Sequence, residues 1–188
     1  MRTPNYFTAV PLPDAVKRVL KEKCGKLREK FPYSRWVDEQ DYHITLKYLG
    51  ACSQQQLTLV KRNLSEAVRS TASFELFLHG AGCFGRTESP RILWTDVRGG
   101  LDGLCRLQSA VEQAMEAAGF PPEDRPYRPH VTLARQYQGS PVPFSVQAEA
   151  WGTDWSGEPW TVRSVVLYRT EVGRTPMYVP VEEVQFET

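Results

Sequence analysis

The sequence contains three histidines, and two of them open the same tetrapeptide: His43-Ile44-Thr45-Leu46 and His130-Val131-Thr132-Leu133. With 13 threonines and 16 leucines in 188 residues, chance gives any one histidine this context at a frequency of about 0.006, and two of three roughly once in ten thousand chains. Side chains alternate across a β-strand, so each motif places an imidazole and a hydroxyl on one face and two apolar anchors on the other. The chain must therefore fold so that two such strands each bury one face and keep the other open. The flanking sequences repeat as well: LREKFPYSRWVDEQDYHITL and AMEAAGFPPEDRPYRPHVTL both run from a helix end through Phe-Pro, a polar loop and a tyrosine into the motif. For Phe-Pro and the tyrosine alone, coincidence is an equal explanation; for the histidine motifs it is a poor one.

Around the motifs the periodicity alternates between strand and helix. Tyr6 to Val10 reads as a strand stopped by Pro11 and Pro13, followed by a helix from Asp14, as N-cap, to Lys30 with Val16, Val19, Leu20 and Leu27 on its apolar stripe. YHITLKYLG is a half-buried strand, and Ser53 then caps a helix carrying Leu57, Val60, Leu64, Ala67 and Val68. FELFLHGAGCFG reads as a strand entering a glycine-rich loop, ILWTDV as a strand, and residues 101–118 as a helix closed by Gly119. HVTLA, FSVQAEA, TVRSVVLYRT and MYVPVEEVQF complete the expected strands.

Length fits one domain, or two intimately packed lobes, across residues 1–188. The 23 Lys plus Arg against 22 Asp plus Glu leave a charge of +1, which gives no global field for a long duplex and restricts any nucleic-acid contact to a local grip. The prolines near the N-terminus interrupt any signal-like or membrane-spanning stretch, so a cytoplasmic protein without a membrane partner is expected. Cys24, Cys52, Cys83 and Cys105 form no CxxC pair, which disfavours a zinc site or a disulfide framework and predicts reduced, mostly buried thiols.

Two imidazoles facing one cleft suit phosphodiester cleavage, because one can take a proton from water while the other gives one to the departing oxygen. An unperturbed pKa near 6.5 lets one be neutral and the other protonated at working pH. Thr45 and Thr132 would donate to non-bridging phosphate oxygens where charge builds. Lys47 continues the period-two series from His43 and is expected in the cleft as a phosphate contact, against the alternative of a solvated strand-end lysine. Tyr42, Tyr48, Tyr127 and Phe84 are candidates for stacking on a terminal base, with core packing as the competing role; His79 lies outside any motif and reads as structural or solvent-facing.

The paired motifs resemble those of the two-histidine phosphoesterases, in particular the RNA 2′,3′-cyclic phosphodiesterases once called 2′-5′ RNA ligases (the LigT-like family), and the similarity runs nearly end to end. NYFTAVPLP resembles the family's opening strand, HITLKYLG and RPHVTLAR its two signatures, GCFGRTESPRILWTDV its glycine-aromatic loop and tryptophan strand, and LYRTEVGRTPMYVPVEEVQF its closing hairpin. Departures are Asn5-Tyr6-Phe7, where an arginine beside the aromatic is commoner, and Arg169-Thr170, where a Glu-Ser-like pair is. The resemblance implies an α+β fold of two pseudo-symmetric lobes, antiparallel strands lining a central cleft and helices outside. It implies hydrolysis of a 2′,3′-cyclic phosphate to a 2′-phosphate without metal or cofactor, and allows a reversible 2′-5′ ligase side reaction. His43 is then the general acid and His130 the general base, although the residues themselves leave the roles interchangeable. Arg135 matches an arginine of the family signature; period two puts it on the face opposite His130, so a substrate role requires the strand to end or bulge there. The expected partners are RNA or nucleotide ends carrying a cyclic phosphate, tRNA halves among them, met by a monomer. The competing expectations are a non-catalytic nucleotide-binding module of the same fold and a metal-dependent hydrolase.

Overall fold

The structure, a computed structural model, describes residues 3–86, 89–139, 144–152 and 155–187; Thr87 and Glu88 of the glycine-aromatic segment lie outside the described residues. The chain runs β1 (Asn5–Pro11), α1 (Asp14–Arg28), β2 (Tyr33–Trp36), a 3-10 turn (Glu39–Asp41), β3 (His43–Ala51), α2 (Gln54–Arg69), β4 (Phe74–Arg86) and β5 (Ser89–Gly99). It continues through α3 (Leu101–Glu116), β6 (His130–Tyr137), α4 (Phe144–Trp151), β7 (Trp160–Val162), β8 (Ser164–Thr170) and β9 (Tyr178–Gln185). The strands lie in the order β7-β4-β5-β6-β3-β1-β8-β9, with β2 added beside β6, and every pairing is antiparallel. The fold is α+β, and the order is a palindrome about the β6–β3 seam: β1-α1-β3-α2 on one side repeats as β5-α3-β6-α4 on the other.

That seam is narrow. β3 and β6 share one paired position, Ile44 with Val131, after which they diverge and β2 takes over the free side of β6 at Tyr137, Arg135 and Ala134. At the far borders, β7 and β8 are consecutive in the chain and separated only by Arg163, yet β7 pairs with β4 and β8 with β1. The sheet therefore curls until its β7 border comes within one residue's reach of β8, the strand next to the β9 border. Phe74 and Phe186, from opposite halves, stack there at 6.3 Å.

The helices cover the outer face. Val60, Leu64 and Val68 of α2 and Leu104, Leu107, Val111 and Met115 of α3 recur at helical spacing and are buried in one core with Ile44, Leu46, Val131 and Leu133. Ser53 starts α2 with a capping box, accepting from the Gln56 N–H while the Gln56 side chain accepts from the Ser53 N–H. Gly119, at φ 89°, takes the left-handed position after α3.

Several local expectations shift. Asp14 is the first helical residue, with Pro13 at the cap position and no side-chain cap; α1 ends at Arg28, and its buried stripe is Leu20, Cys24 and Leu27 while Val19 is exposed. Cys24 and Cys52 are buried, Cys83 is half-buried and Cys105 is exposed, all with free thiols. The expected strand FSVQAEA is instead α4, because Phe144, Gln147 and Trp151 at helical spacing meet the rest of the protein, Gln147 accepting a 2.7 Å bond from the buried Tyr33 hydroxyl. A seven-residue alternation of small and polar groups fits both periods, and the tertiary contact decides between them.

Candidate active site

The His43–Thr45 and His130–Thr132 series lie half-exposed on one face of β3 and β6, while Ile44, Leu46, Val131 and Leu133 are buried beneath. Continuing the antiparallel register from the Ile44–Val131 pair places His43 across from Thr132 and His130 across from Thr45. The two histidines are thus diagonal neighbours, a relation that spaces residues roughly 7–8 Å apart and leaves room for a phosphate between the rings.

Both rings are anchored alike. Nδ1 of His43 meets the Asp41 carbonyl at 2.7 Å and Nδ1 of His130 meets the Arg128 carbonyl at 2.8 Å, each two residues upstream. A carbonyl only accepts, so Nδ1 carries the hydrogen in both rings, and each neutral imidazole presents its lone pair at Nε2. His43 Nε2 lies 3.1 Å from the Thr45 hydroxyl. Burial pushes the His43 pKa from 6.5 down to about 4, with the Arg135 guanidinium and His130 adding to the effect and the Asp41 carbonyl opposing it. His130 is lowered too, by burial first and then by Arg135 and Arg128, against the Arg128 carbonyl. Two imidazoles that resist protonation stand beside Arg128 and Arg135, which among the described residues form no ion pair with a carboxylate, and together they define a cleft that favours an anion.

Each motif strand carries a bulge at the same place. β5 pairs with β6 through Leu93–Ala134 and then Trp94–Thr132, so Leu133 is the extra residue; β1 pairs with β3 through Thr8–Lys47 and then Ala9–Thr45, so Leu46 is. After a bulge the alternation restarts on the other face. Arg135 is thereby returned to the side of His130 and Thr132, and its charge acts on both histidines.

The same shift removes Lys47 from the cleft, contrary to the period-two expectation. It is 2% exposed, its ammonium pairs with Glu112 of α3, and it donates to the Pro121 carbonyl at 2.6 Å. Tyr48, one residue on, is the exposed member facing the cleft side, at the repeat position of Arg135. The Tyr127 hydroxyl donates to the Thr45 carbonyl at 3.1 Å and its ring packs against the core, so it braces the motif strand. The Tyr42 ring is buried in the core.

Aromatic rings wall the cleft on both sides. Phe84 stands edge-on to His130 at 5.0 Å and 5.2 Å from Trp94, whose indole lies over Gly82, where a Cβ would come within 2.1 Å of the ring. On the other side Phe7, Tyr178 and Tyr168 approach His43 at 4.8, 5.2 and 6.0 Å. Asp41 ties this wall together: its buried carboxylate accepts the N–H groups of Met177 and Tyr178 at 2.8 and 2.9 Å while its carbonyl holds His43. The sequence reading missed Phe7, Trp94, Tyr168, Tyr178 and Asp41. Phe7 and Trp94 sit on strands that alternation does predict, but which neighbour those strands take is not a local property. Among the described residues no group of three or more His, Cys, Asp or Glu side chains is placed to hold a metal ion.

The chain is similar to known proteins over nearly its whole length. The chain is 34% identical over 178 residues to the RNA 2′,3′-cyclic phosphodiesterase of Geobacillus stearothermophilus, covering 95% of this chain and 56% of the relative. It is 30% identical to the Bacillus subtilis protein of the same name, covering 93% of this chain and 92% of that one. A crystal structure from Thermus thermophilus superimposes with a TM-score of 0.79 at 25% identity, over 97% of this chain and 98% of the other. E. coli LigT in complex with 3′-AMP does so with a TM-score of 0.74 at 25% identity over the whole of both chains. The family described as the 2′-5′ RNA ligase superfamily matches residues 13–174, and with that match the protein belongs to the 2′-5′ RNA ligase superfamily.

Proposed function

We propose that this protein hydrolyses the 2′,3′-cyclic phosphate at an RNA or nucleotide end to a 2′-phosphate, by paired-histidine acid-base catalysis. The observation that carries the reading is the pair of diagonal imidazoles with matching Nδ1 anchors, which leaves two Nε2 atoms for one phosphate. Its support from relatives is the activity named for the Geobacillus and Bacillus proteins and the nucleotide held by E. coli LigT.

In this reading His130 Nε2 takes a proton from water as the water oxygen attacks phosphorus. His43 Nε2–H gives its proton to O3′ as the P–O3′ bond breaks, leaving a 3′-hydroxyl and a 2′-phosphate. The bound phosphate places negative charge between the two rings, and so raises the imidazole pKa values toward the range in which one ring is protonated. Thr45, Thr132 and Arg135 stabilise the non-bridging oxygens, and Phe84 stacks on the terminal base. A 5′-hydroxyl taking the water's place breaks the same P–O3′ bond and leaves a 2′-5′ phosphodiester, which is ligation. Neither reaction uses a cofactor.

We further read residues 1–188 as one domain of two packed lobes that acts as a monomer in the cytoplasm, with tRNA halves among its substrates. The nearly balanced charge supports a grip confined to a chain end, and no helix among the described residues is long and apolar enough to cross a membrane.

Incubation with a 2′,3′-cyclic nucleotide in EDTA, with products resolved by phosphorus NMR, is expected to give only the 2′-phosphate. His43→Ala and His130→Ala are each expected to lower kcat by about 10²-fold or more. Full activity in either variant, or loss of activity on chelation, would refute the mechanism; nucleotide binding without turnover would identify a recognition module instead.

A further inference from the structure

The wedge left where β3 and β6 diverge is a groove of about 690 Å³ between β2, the end of β6 and the segment entering β9. That volume is typical of a ligand pocket, yet the catalytic histidines do not line it. It opens beside them, at Arg135 and at Tyr178, whose ring is 5.2 Å from that of His43.

Its walls carry Arg28, Arg35, Arg135 and Arg174 against Asp38 and Asp41, and the Asp41 carboxylate is already occupied by the two N–H groups of Met177 and Tyr178. Arg174 pairs with Glu171; among the described residues Arg28, Arg35 and Arg135 form no ion pair with a carboxylate. Arg35 and Arg135 are direct cross-strand partners on β2 and β6. Like charges at directly opposed positions destabilise a strand pair, and an anion held between the two guanidinium groups turns that repulsion into a two-sided clamp suited to phosphate. Trp36, beneath the Arg28 guanidinium at 5.6 Å, and Tyr178 add aromatic faces to the same groove.

We propose that this groove seats the phosphodiester on the 5′ side of the terminal nucleotide, clamped between Arg35 and Arg135, so that Arg35 is a positioning residue for strands longer than one nucleotide. A cyclic phosphate closes O2′ and O3′ of the last ribose, so the rest of the strand leaves through O5′, and the groove is the basic channel adjoining the cleft. The inference rests on the phosphodiesterase reading above and adds the residues that hold the strand beyond its terminal nucleotide.

The test compares kcat/KM for a cyclic mononucleotide and for a tetranucleotide ending in 2′,3′-cyclic phosphate, in the wild type and in Arg35→Ala, Arg35→Lys and Arg174→Ala. The wild type is expected to prefer the tetranucleotide by about tenfold or more. Arg35→Ala is expected to cut that preference about five-fold, chiefly through KM, with Arg35→Lys recovering part of it. Single-strand phosphate contacts also steepen salt dependence, so the slope of log kcat/KM against log salt for the tetranucleotide should fall by about 0.7 for each contact removed. Equal kcat/KM for the two substrates, or an unchanged preference and salt slope in both alanine variants, overturns the proposal. Absence of turnover on either substrate would instead sink the phosphodiesterase reading. In that event anisotropy of a 5′-labelled tetranucleotide decides the groove: weaker binding by Arg35→Ala supports it, and equal binding overturns it.

Discussion

Lys47→Met separates a structural lysine from a substrate-binding one. The side chain is 2% exposed, and its ammonium joins three pieces of the chain: β3, the Glu112 carboxylate on α3, and the Pro121 carbonyl in the loop that leads to the second histidine. Methionine keeps most of the stem's volume and removes the charge, leaving Glu112, among the described residues, with the Gln108 side chain and the Glu123 N–H as its partners. Breaking a buried ion pair from one side costs about 3–5 kcal/mol, and those two remaining donors place this case near about 3 kcal/mol. In a chain of this size that lowers Tm by about 6–12 °C. Replacing both partners, Lys47→Met with Glu112→Leu, should recover most of the loss, because an apolar pair of similar volume often equals a buried ion pair. Denaturant and thermal unfolding of the two single variants and the double give the coupling energy directly, and kinetics below the transition give the functional arm, where KM for a cyclic nucleotide should stay within about three-fold of wild type. A KM raised about tenfold with unchanged stability would show that Lys47 reaches the phosphate and that the bulge reasoning is wrong.

Stability should also fall with acid in a window set by His43. Its folded pKa lies near 4 against an ordinary 6.5, so below 6.5 the unfolded chain binds a proton that the folded one refuses. This contribution is complete above pH 6.5, is lost progressively toward pH 4, and amounts to at most about 3 kcal/mol; His43→Gln should flatten the pH dependence of the unfolding free energy over that interval, and an unaltered profile would contradict the burial assigned to the ring. Gly82→Ala puts a methyl within 2.1 Å of the Trp94 indole, which should cost about 1–3 kcal/mol and displace the ring beside Phe84 and His130; a variant with wild-type stability and tryptophan near-UV circular dichroism would show that the indole has slack.

The two motif strands were legible because burial enforces their period directly: Ile44, Leu46, Val131 and Leu133 had to point inward, and so the imidazoles had to point out. The helices carrying Leu64 and Leu107 were legible for the same reason. Lys47 was misplaced because a bulge is a property of two strands in register, and nothing in LKYLG announces that Leu46 has no partner of its own. Arg135 was recovered by the same event, which sequence could pose only as a condition. Tyr168 and Tyr178 reach the cleft on β8 and β9, more than a hundred residues from β3 in the chain, a distance over which no local pattern reports proximity; Asp41 stands two residues before His43, but its role depends on the equally distant Met177 and Tyr178 N–H groups that its carboxylate accepts. FSVQAEA was too short for its period to be decisive until Tyr33 supplied a partner for Gln147.

The curled sheet settles how its two open rims behave toward other molecules. An unpaired strand is a template for further pairing, and proteins blunt such rims by shortness, charge and proline. At the ends of the strand order one rim is β7, three residues long, and the other is β9, where Pro180 withholds a donor and Glu182 and Glu183 add negative charge; the side strand β2 is four residues long. Neither rim presents a long, flat, apolar stretch, so the fold discourages fibre-like growth even though much of the chain is strand.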